Sequence, residues 1–267
     1  MGLDLQGRRV LVTGASAGLG AAIARTVHAR GATVVLTGRR AELLDQLQHE
    51  LGERAETLPA DLADRAAVTV LPGQAGPIDV LIANAGLPGT GPLEDLSPEQ
   101  VDRALEVNLR APLQLARALA PPMVQRGSGH LVFVSSLSGK VASPGSSLYS
   151  ATKFGLRGLA LGLHEDLAGT GVGVTCVYPG FIRDAGMFHD SGAKLPRWVG
   201  MPTPADVGEA VADGIEGDRL EVDVAPLALR IGAKLGGLAP RPVGAIQRRL
   251  GGADLARSMA SGQARKL

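Results

Sequence analysis

The sequence predicts one doubly wound α/β domain with a seven-stranded parallel sheet, followed by a basic C-terminal extension. At 267 residues the chain is long enough to build a single large core. Short apolar runs alternate with longer helical patterns, which is the order of a parallel sheet. Hydrophobic residues make up 45% of the chain but aromatic residues only 3%, a composition that suits strands buried on both faces.

The predicted elements follow one another in β-α-β order. Predicted strands cover residues 9–13, 33–37, 56–58, 79–83, 131–135, 172–177 and 220–224. Predicted helices cover residues 19–30, 41–51, 98–125, 148–168 and 204–215. Proline and glycine interrupt residues 61–77, so we predict no more than one or two helical turns there.

Composition divides the chain into one α/β domain at 1–225 and a basic extension at 226–267. Within the domain, residues 184–203 are rich in Gly and Pro but also hold Phe188, Leu195 and Trp198. Because ligands of such sheets bind at the carboxyl ends of the strands, we interpret this segment as a lid over the substrate. The alternative is an ordinary surface loop.

Cysteine and histidine usage disfavours disulfide and metal chemistry. Cys176 is the single cysteine, which rules out an internal disulfide and fits a reducing compartment. The five histidines are scattered without metal-ligand spacing. No charge-free apolar run reaches about 18 residues and the N-terminus does not resemble a signal peptide, so we expect a cytoplasmic protein.

A glycine-rich turn follows the first predicted strand and leads directly into a helix. Its sequence, TGASAGLG at 13–20, has the spacing of a dinucleotide-binding turn. Gly14 permits the sharp turn, Gly18 lets the backbone approach a pyrophosphate, and Gly20 allows close packing of helix on strand. The helix N-terminus then offers N–H groups to the phosphates.

The end of the second strand indicates which nicotinamide dinucleotide binds. The sequence there is Thr37-Gly38-Arg39-Arg40, with no carboxylate to repel a 2′-phosphate and two guanidinium groups to hold it. The alternative is that these arginines merely begin the next helix in solvent. We predict NADP(H), with Asp61 beside the adenine and 84–86 on the same edge.

Ser136, Tyr149 and Lys153 form a candidate catalytic group. Tyr149 and Lys153 lie four residues apart on a predicted helix and therefore share a face. A free tyrosine, with a pKa of about 10, is a poor acid or base at neutral pH. We expect Lys153, together with a positive nicotinamide, to lower the pKa of Tyr149. Ser136 would then hold the substrate oxygen by a hydrogen bond.

On these motifs the sequence resembles the short-chain dehydrogenase/reductase family over nearly all of residues 5–225, which implies a Rossmann-type fold. The matching motifs in chain order are TGASAGLG, Asn84-Ala85-Gly86, Asn108, Ser136 with Tyr149 and Lys153, and Pro179-Gly180. The resemblance implies that Tyr149 is the catalytic acid/base, that Lys153 binds the nicotinamide ribose, and that Asn108 supports a water relaying protons to Lys153.

The candidate cofactor-binding residues are Gly14, Ser16, Gly18, Leu19, Gly20, Arg39, Arg40, Asp61, Leu62, Asn84, Ala85, Gly86, Tyr149, Lys153, Pro179, Gly180 and Ile182. One position departs from the family pattern. Asp184 stands where relatives commonly have a threonine that contacts the nicotinamide carboxamide. A carboxylate accepts from the amide NH₂ but cannot donate to its carbonyl.

These residues predict an NADP(H)-dependent oxidoreductase that interconverts an alcohol and a ketone or aldehyde. Phe188, Leu195, Trp198 and Met201 favour an apolar substrate, and reduction is the expected direction. The alternative is a non-catalytic dinucleotide sensor or scaffold. The resemblance also implies a homodimer or homotetramer, formed through helices near 100–125 and 148–168 with Gly155, Gly158 and Gly162.

The extension carries eight Lys or Arg and one acidic residue, Asp254. Glycines and prolines within it argue against one long helix. A solvated tail, an arm over a neighbouring subunit and a segment on an anionic membrane are all open, with the first two favoured. The extension lacks aromatic residues, which argues against nucleic-acid binding.

Overall fold

The computed structural model describes residues 2–192, 200–249, 258, 259 and 262. Within them, seven strands form one parallel sheet in the order β3-β2-β1-β4-β5-β6-β7. The strands are β1 Arg9–Thr13, β2 Thr33–Thr37, β3 Ala55–Thr57, β4 Val80–Ala83, β5 Gly129–Val134, β6 Val172–Pro179 and β7 Glu221–Val224. The predicted sheet is therefore confirmed.

The described residues also form ten α-helices. They are α1 Gly18–Ala29, α2 Ala41–Leu51, α3 Arg65–Ala75, α4 Pro98–Leu105, α5 Ala111–Arg126, α6 Ser147–Asp166, α7 Gly186–Asp190, α8 Pro204–Glu216, α9 Leu227–Leu238 and α10 Pro240–Arg249. Part of the predicted lid, including Leu195 and Trp198, lies outside the described residues.

Successive residues of each strand point to opposite faces, which gives the sheet two cores. On β1, Val10 and Val12 belong to the core shared with α1, α2 and α8, whereas Leu11 belongs to the core shared with α3, α5 and α6. Because both faces are covered, the central strands consist almost entirely of buried apolar residues. The sheet is thus a rigid support for the residues at its carboxyl edge.

The prediction of at most one or two helical turns in 61–77 was wrong, because α3 runs for 11 residues through Pro72. Asp64 caps this helix by accepting a hydrogen bond from the N–H of Ala66. Val68, Leu71 and Ala75 are buried along one face. Burial of that face outweighs the backbone hydrogen bond that proline removes.

The long predicted helix at 98–125 contains a turn that the sequence pattern did not indicate. Between α4 and α5, residues Glu106–Arg110 form a π-helical turn. Such turns insert an extra residue and frequently occur at functional sites. This one carries Asn108, which is completely buried.

Candidate active site

A cavity of about 1660 Å³ runs along the carboxyl edge of the sheet. The order of the strands reverses between β1 and β4, and a crevice is expected at that point of a doubly wound sheet. All of the candidate cofactor-binding residues line the cavity, together with Ser136. Asn108 does not line it and lies behind Gly86, where its Oδ1 is 3.6 Å from the position of an added Cβ.

The glycine turn is shaped by close backbone approaches. Gly14 has a φ of 67°, a left-handed conformation that glycine adopts readily. A Cβ on Gly20 would lie 2.1 Å from the carbonyl oxygen of Gly14, so the helix could not approach the turn with any larger residue there. These glycines therefore let the backbone of the turn form a shallow cradle for a phosphate group, as the sequence predicts.

Thr13 and Asn84, one at the end of β1 and one after β4, fasten the cradle to the neighbouring strand. Asn84 donates a 2.9 Å hydrogen bond from Nδ2 to the carbonyl oxygen of Thr13. The hydroxyl of Thr13 accepts hydrogen bonds from the N–H groups of Asn84 and Ala85, at 2.9 and 3.0 Å. Sequence reasoning did not identify Thr13 as a supporting residue, although it opens the glycine motif.

The start of α1 is suited to an anion. Among the described residues, no side chain caps this helix at Ala17 and no acidic side chain lies in its first turn. The unpaired N–H groups and the positive end of the helix dipole therefore face the cavity. Such an arrangement fits the pyrophosphate of a dinucleotide.

Two cationic side chains lie on the cavity wall near this helix start. Arg39 and Arg40 are both exposed. The guanidinium of Arg40 donates a 3.1 Å hydrogen bond from an Nη atom to the hydroxyl of Ser16. Ser16 thereby connects the glycine turn to the end of β2.

Further along the edge, Asp61 lies 3.3 Å from the guanidinium of Arg103.

Ser136, Tyr149 and Lys153 converge at one end of the cavity. Ser136 and Tyr149 both line this end of the cavity, and the Ser136 hydroxyl favours the ionised phenol of Tyr149. The Nζ of Lys153 lies 5.6 Å from the centre of the Tyr149 ring and donates a 2.9 Å hydrogen bond to the carbonyl oxygen of Val134. In return, the hydroxyl of Ser135 donates to the carbonyl oxygen of Lys153 at 2.9 Å. These bonds hold α6 against the end of β5.

Burial sets the contribution of the chain itself to the pKa of Tyr149, and the expected lowering by Lys153 together with a positive nicotinamide stays a prediction. Burial raises the pKa of the phenol to about 12, and the nearby Ser136 hydroxyl opposes this only in part. Burial also lowers the pKa of Lys153 to about 8, because a cation is poorly solvated there. A lowered tyrosine pKa therefore requires a further positive charge in the cavity.

Asn108 is a structural support behind these residues. Its Oδ1 accepts a 2.6 Å hydrogen bond from the N–H of Leu87, and its Nδ2 donates to the carbonyl oxygen of Leu87 at 2.9 Å. The same Nδ2 donates to the hydroxyl of Thr152 at 3.3 Å. Asn108 thus connects the segment after β4 to the helix that carries Tyr149.

Comparisons with known proteins agree with this site. The family model for short chain dehydrogenase matches residues 8–195. The chain belongs to the short-chain dehydrogenase/reductase family. The ketoacyl reductase HetN of Nostoc sp. is 38% identical to this dehydrogenase/reductase over 227 residues, covering 82% of the chain and 79% of the relative.

Two further comparisons concern relatives whose names or titles include a cofactor. The NADP-dependent 3-hydroxy acid dehydrogenase YdfG of Salmonella typhi is 38% identical over 215 residues, covering 76% of this chain and 86% of the relative. A short-chain dehydrogenase from Sphingobium yanoikuyae, solved in complex with NADPH, has a TM-score of 0.76 and 31% identity, covering 88% of this chain and 95% of that one. This dehydrogenase/reductase is thus an oxidoreductase of a family that uses a nicotinamide cofactor.

In this dehydrogenase/reductase, the segment after Pro179-Gly180 departs from the family pattern. Asp184 lines the cavity and has a φ of 66°, a left-handed conformation that Asp tolerates better than most residues. Its carboxylate lies 3.3 Å from the guanidinium of Arg183. Ile182 is buried beside it. The side chain at position 184 is therefore already engaged by a neighbouring cation.

The C-terminal extension contributes a wall that sequence reasoning did not assign. Helices α9 and α10 line part of the cavity, and α9 packs against Lys140 and Val141, which follow Ser136 in the chain. Their lining residues are small or apolar: Ala228, Leu229, Gly232, Ala233, Val243 and Ile246. The apolar residues at 228–233 could have indicated this wall, but the glycines around them argued against a long helix.

Proposed function

We propose that this dehydrogenase/reductase is NADP(H)-dependent, interconverts an alcohol and a ketone or aldehyde, and acts as a carbonyl reductase on an apolar substrate. The observation that carries the proposal is that Ser136, Tyr149 and Lys153 line one cavity, with the buried Nζ of Lys153 5.6 Å from the centre of the Tyr149 ring. Where a serine hydroxyl and a tyrosine phenol both reach a carbonyl oxygen, the serine can polarise the carbonyl by a hydrogen bond and the phenol can protonate the oxygen.

Each catalytic side chain has a distinct role in the proposed reaction. In reduction, Ser136 donates a hydrogen bond from Oγ to the carbonyl oxygen while Tyr149 transfers its Oη proton to the same oxygen. When bound, NADP(H) would supply the hydride in reduction and accept it in oxidation. Lys153 would hold the nicotinamide ribose and stabilise the phenolate that remains on Tyr149. Asn108 positions α6, and with it Tyr149, through Thr152.

The preference for NADP(H) rests on the end of β2. The cavity there is lined by Gly38, Arg39 and Arg40, and the nearest polar partner is the hydroxyl of Ser16. A 2′-phosphate gains charge-assisted hydrogen bonds from two guanidinium groups. The glycine cradle and the start of α1 fit the pyrophosphate of the same molecule.

The preference for an apolar substrate rests on the other end of the cavity. Its wall is formed by Leu137, Val141 and Met187 together with the apolar side chains of α9 and α10. The ring of Phe188 packs against that of Phe181 in a tilted arrangement, with ring centres 4.8 Å apart, which fixes the start of the proposed lid. A charged substrate would lose its hydration in such surroundings without a compensating partner.

Binding of NADPH and of NADH by fluorescence titration tests the cofactor assignment first. We expect the wild type to prefer NADPH and Arg39→Asp to lose or reverse that preference. Arg25→Asp, which alters an exposed arginine on the outer side of α1, serves as the charge-matched control and should keep the preference. Equal binding of both dinucleotides by the wild type would contradict the NADP(H) assignment.

An NADPH-oxidation screen with apolar ketones and aldehydes tests the reaction. We expect turnover of at least one apolar carbonyl and little turnover of charged analogues. Tight NADPH binding without turnover of any carbonyl would favour the non-catalytic sensor that the sequence left open.

We also propose that the protein is cytoplasmic and forms a homo-oligomer through α5 and α6. Leu113 and Phe154 on these helices are exposed, and a Cβ on Gly158 would meet no atom within 4 Å. Gly155 is not part of that open face, because Leu109 packs against it at 2.9 Å from an added Cβ. Light scattering of Phe154→Lys should give a lower mass than the wild type.

A further inference from the structure

Helix α9 has two apolar faces, and only one of them lines the cavity. Ala228, Leu229, Gly232 and Ala233 face the cavity. On the other side, Leu227, Ile231, Leu235 and Leu238 are 67%, 49%, 52% and 84% exposed. These four residues, which we call the outer stripe, recur at spacings of three and four and therefore lie along one side of the helix.

Exposed apolar side chains on consecutive helical turns are unusual for a surface that meets only water. Scattered exposed leucines need no explanation, but a contiguous stripe indicates an interaction surface. The stripe extends along a helix of 12 residues, which is about 18 Å long. It is the outer surface of the element that closes the substrate end of the cavity.

The charged side chains of α9 and α10 are all positive, and the acidic partner nearby is Asp223 of β7, 3.9 Å from Arg230. Arg230 and Lys234 are exposed on the same helix, and Arg241, Arg248 and Arg249 follow on α10. Residues 226–249 contain no Asp or Glu. Apolar side chains flanked by Lys and Arg are the composition of a helix that lies in the interface of an anionic membrane.

We propose that the outer stripe of α9 and its flanking cations dock the enzyme on an anionic lipid bilayer. The helix would lie on the surface, since no described helix is long and apolar enough to cross a membrane. This inference concerns a surface outside the catalytic site and does not depend on the reaction. Docking would place the α9 wall of the cavity beside the lipid, where apolar molecules concentrate.

A second copy of the chain is a poorer occupant for this surface. Two stripes packed face to face would bring Arg230 and Lys234 of one copy close to the same residues of the other. Arg230 already lies 3.9 Å from Asp223 of its own chain, and residues 226–249 contain no acidic residue that could pair with Lys234 of the other copy. Like charges brought together at an interface oppose association.

Co-sedimentation of the full chain with vesicles tests the proposal. We expect binding to vesicles made of phosphatidylcholine and phosphatidylglycerol in equal parts, and little binding to phosphatidylcholine alone. Binding should weaken at high salt, because ions screen the attraction between exposed charges. Absence of binding to the mixed vesicles would overturn the proposal.

Variants assign the binding to the outer stripe. Ile231→Gln/Leu235→Gln should weaken binding to the mixed vesicles by about tenfold or more. Lys234→Gln should weaken binding to the mixed vesicles by roughly fivefold, which is the effect expected for one basic residue at an anionic membrane surface. The control Val70→Gln/Leu93→Gln changes two apolar residues that are each 52% exposed elsewhere on the molecule, and it should bind like the wild type.

Two further measurements keep the outcome clear. NADPH titration and thermal unfolding should show that Ile231→Gln/Leu235→Gln remains folded, since neither residue lines the cavity. Light scattering measures the mass of each variant. If the double variant binds vesicles as the wild type does but has a lower mass, the stripe is an interface between copies and the membrane proposal fails.

Discussion

The ammonium group of Lys140 lies 2.6 Å from Oδ1 of Asp223 and 3.8 Å from the centre of the Tyr178 ring. Lys140 follows the turn that begins at Ser136, whereas Asp223 belongs to β7, just before α9. Both side chains are almost completely buried. This pair therefore joins the loop beside the catalytic residues to the strand that leads into the cavity wall.

Removal of one partner of this pair should destabilise the protein. Asp223→Leu leaves the buried ammonium of Lys140 with only Glu221, 3.6 Å away, as a carboxylate partner, and we expect a loss of about 3 kcal/mol in the free energy of unfolding. Lys140→Met/Asp223→Leu should lose less than the single variant, because no buried charge is left behind. Urea denaturation measures both. Equal losses in the two variants would show that the charges themselves contribute little.

Tyr149→Phe should abolish carbonyl reduction while NADPH binding is unchanged. The substitution removes the proposed proton donor but keeps the ring, so we expect a decrease in kcat of about a thousandfold. Tyr178→Phe is the matched control, since it removes the only other tyrosine hydroxyl, which donates to Glu221 outside the cavity. Activity retained by Tyr149→Phe would mean that another group supplies the proton.

The two directions of the reaction should respond oppositely to pH. Reduction needs the neutral phenol, and burial raises the pKa of Tyr149 to about 12, so its rate should stay level through neutral and mildly alkaline pH. Oxidation needs the phenolate, so its rate should rise by about tenfold per pH unit below the pKa of the phenol. NADP⁺ carries a cationic nicotinamide, which should lower the pKa of Tyr149 during oxidation. The oxidation rate should therefore reach its plateau at a lower pH than the pH at which the reduction rate begins to fall.

Initial rates in both directions across the pH range, with saturating substrate and cofactor, check this expectation. A reduction rate that falls by about tenfold per pH unit from neutrality would contradict it, because the phenol would then already be ionised.

Gly20→Ala should weaken NADPH binding, because its Cβ would lie 2.1 Å from the carbonyl oxygen of Gly14 and would displace the cradle. We expect the Kd to rise by at least about tenfold, since the pyrophosphate contacts depend on that backbone. Gly158→Ala is the control: a Cβ there meets no atom within 4 Å, and its NADPH Kd should not change. A normal Kd for Gly20→Ala would place the pyrophosphate away from this turn.

The order of the strands and helices could be predicted from the sequence because each element has its own local pattern of apolar and polar residues. Apolar runs such as β1 and β4 are buried on both faces, so their periodicity is visible without a structure. The glycine turn and the Tyr149–Lys153 spacing were equally readable, because backbone freedom and helical repeat act over a few residues. Local rules failed at α3, where burial of Leu71 and its neighbours outweighed Pro72.

The sequence by itself determined the doubly wound fold and the identities of the candidate catalytic side chains. Only the tertiary structure decided that burial raises the pKa of Tyr149 and that Asn108 makes hydrogen bonds with Leu87 and Thr152. It also decided that α9 forms a cavity wall with an apolar outer stripe. Solvation and long-range packing set these properties. Each depends on segments that lie far apart along the chain and meet only when the sheet has assembled.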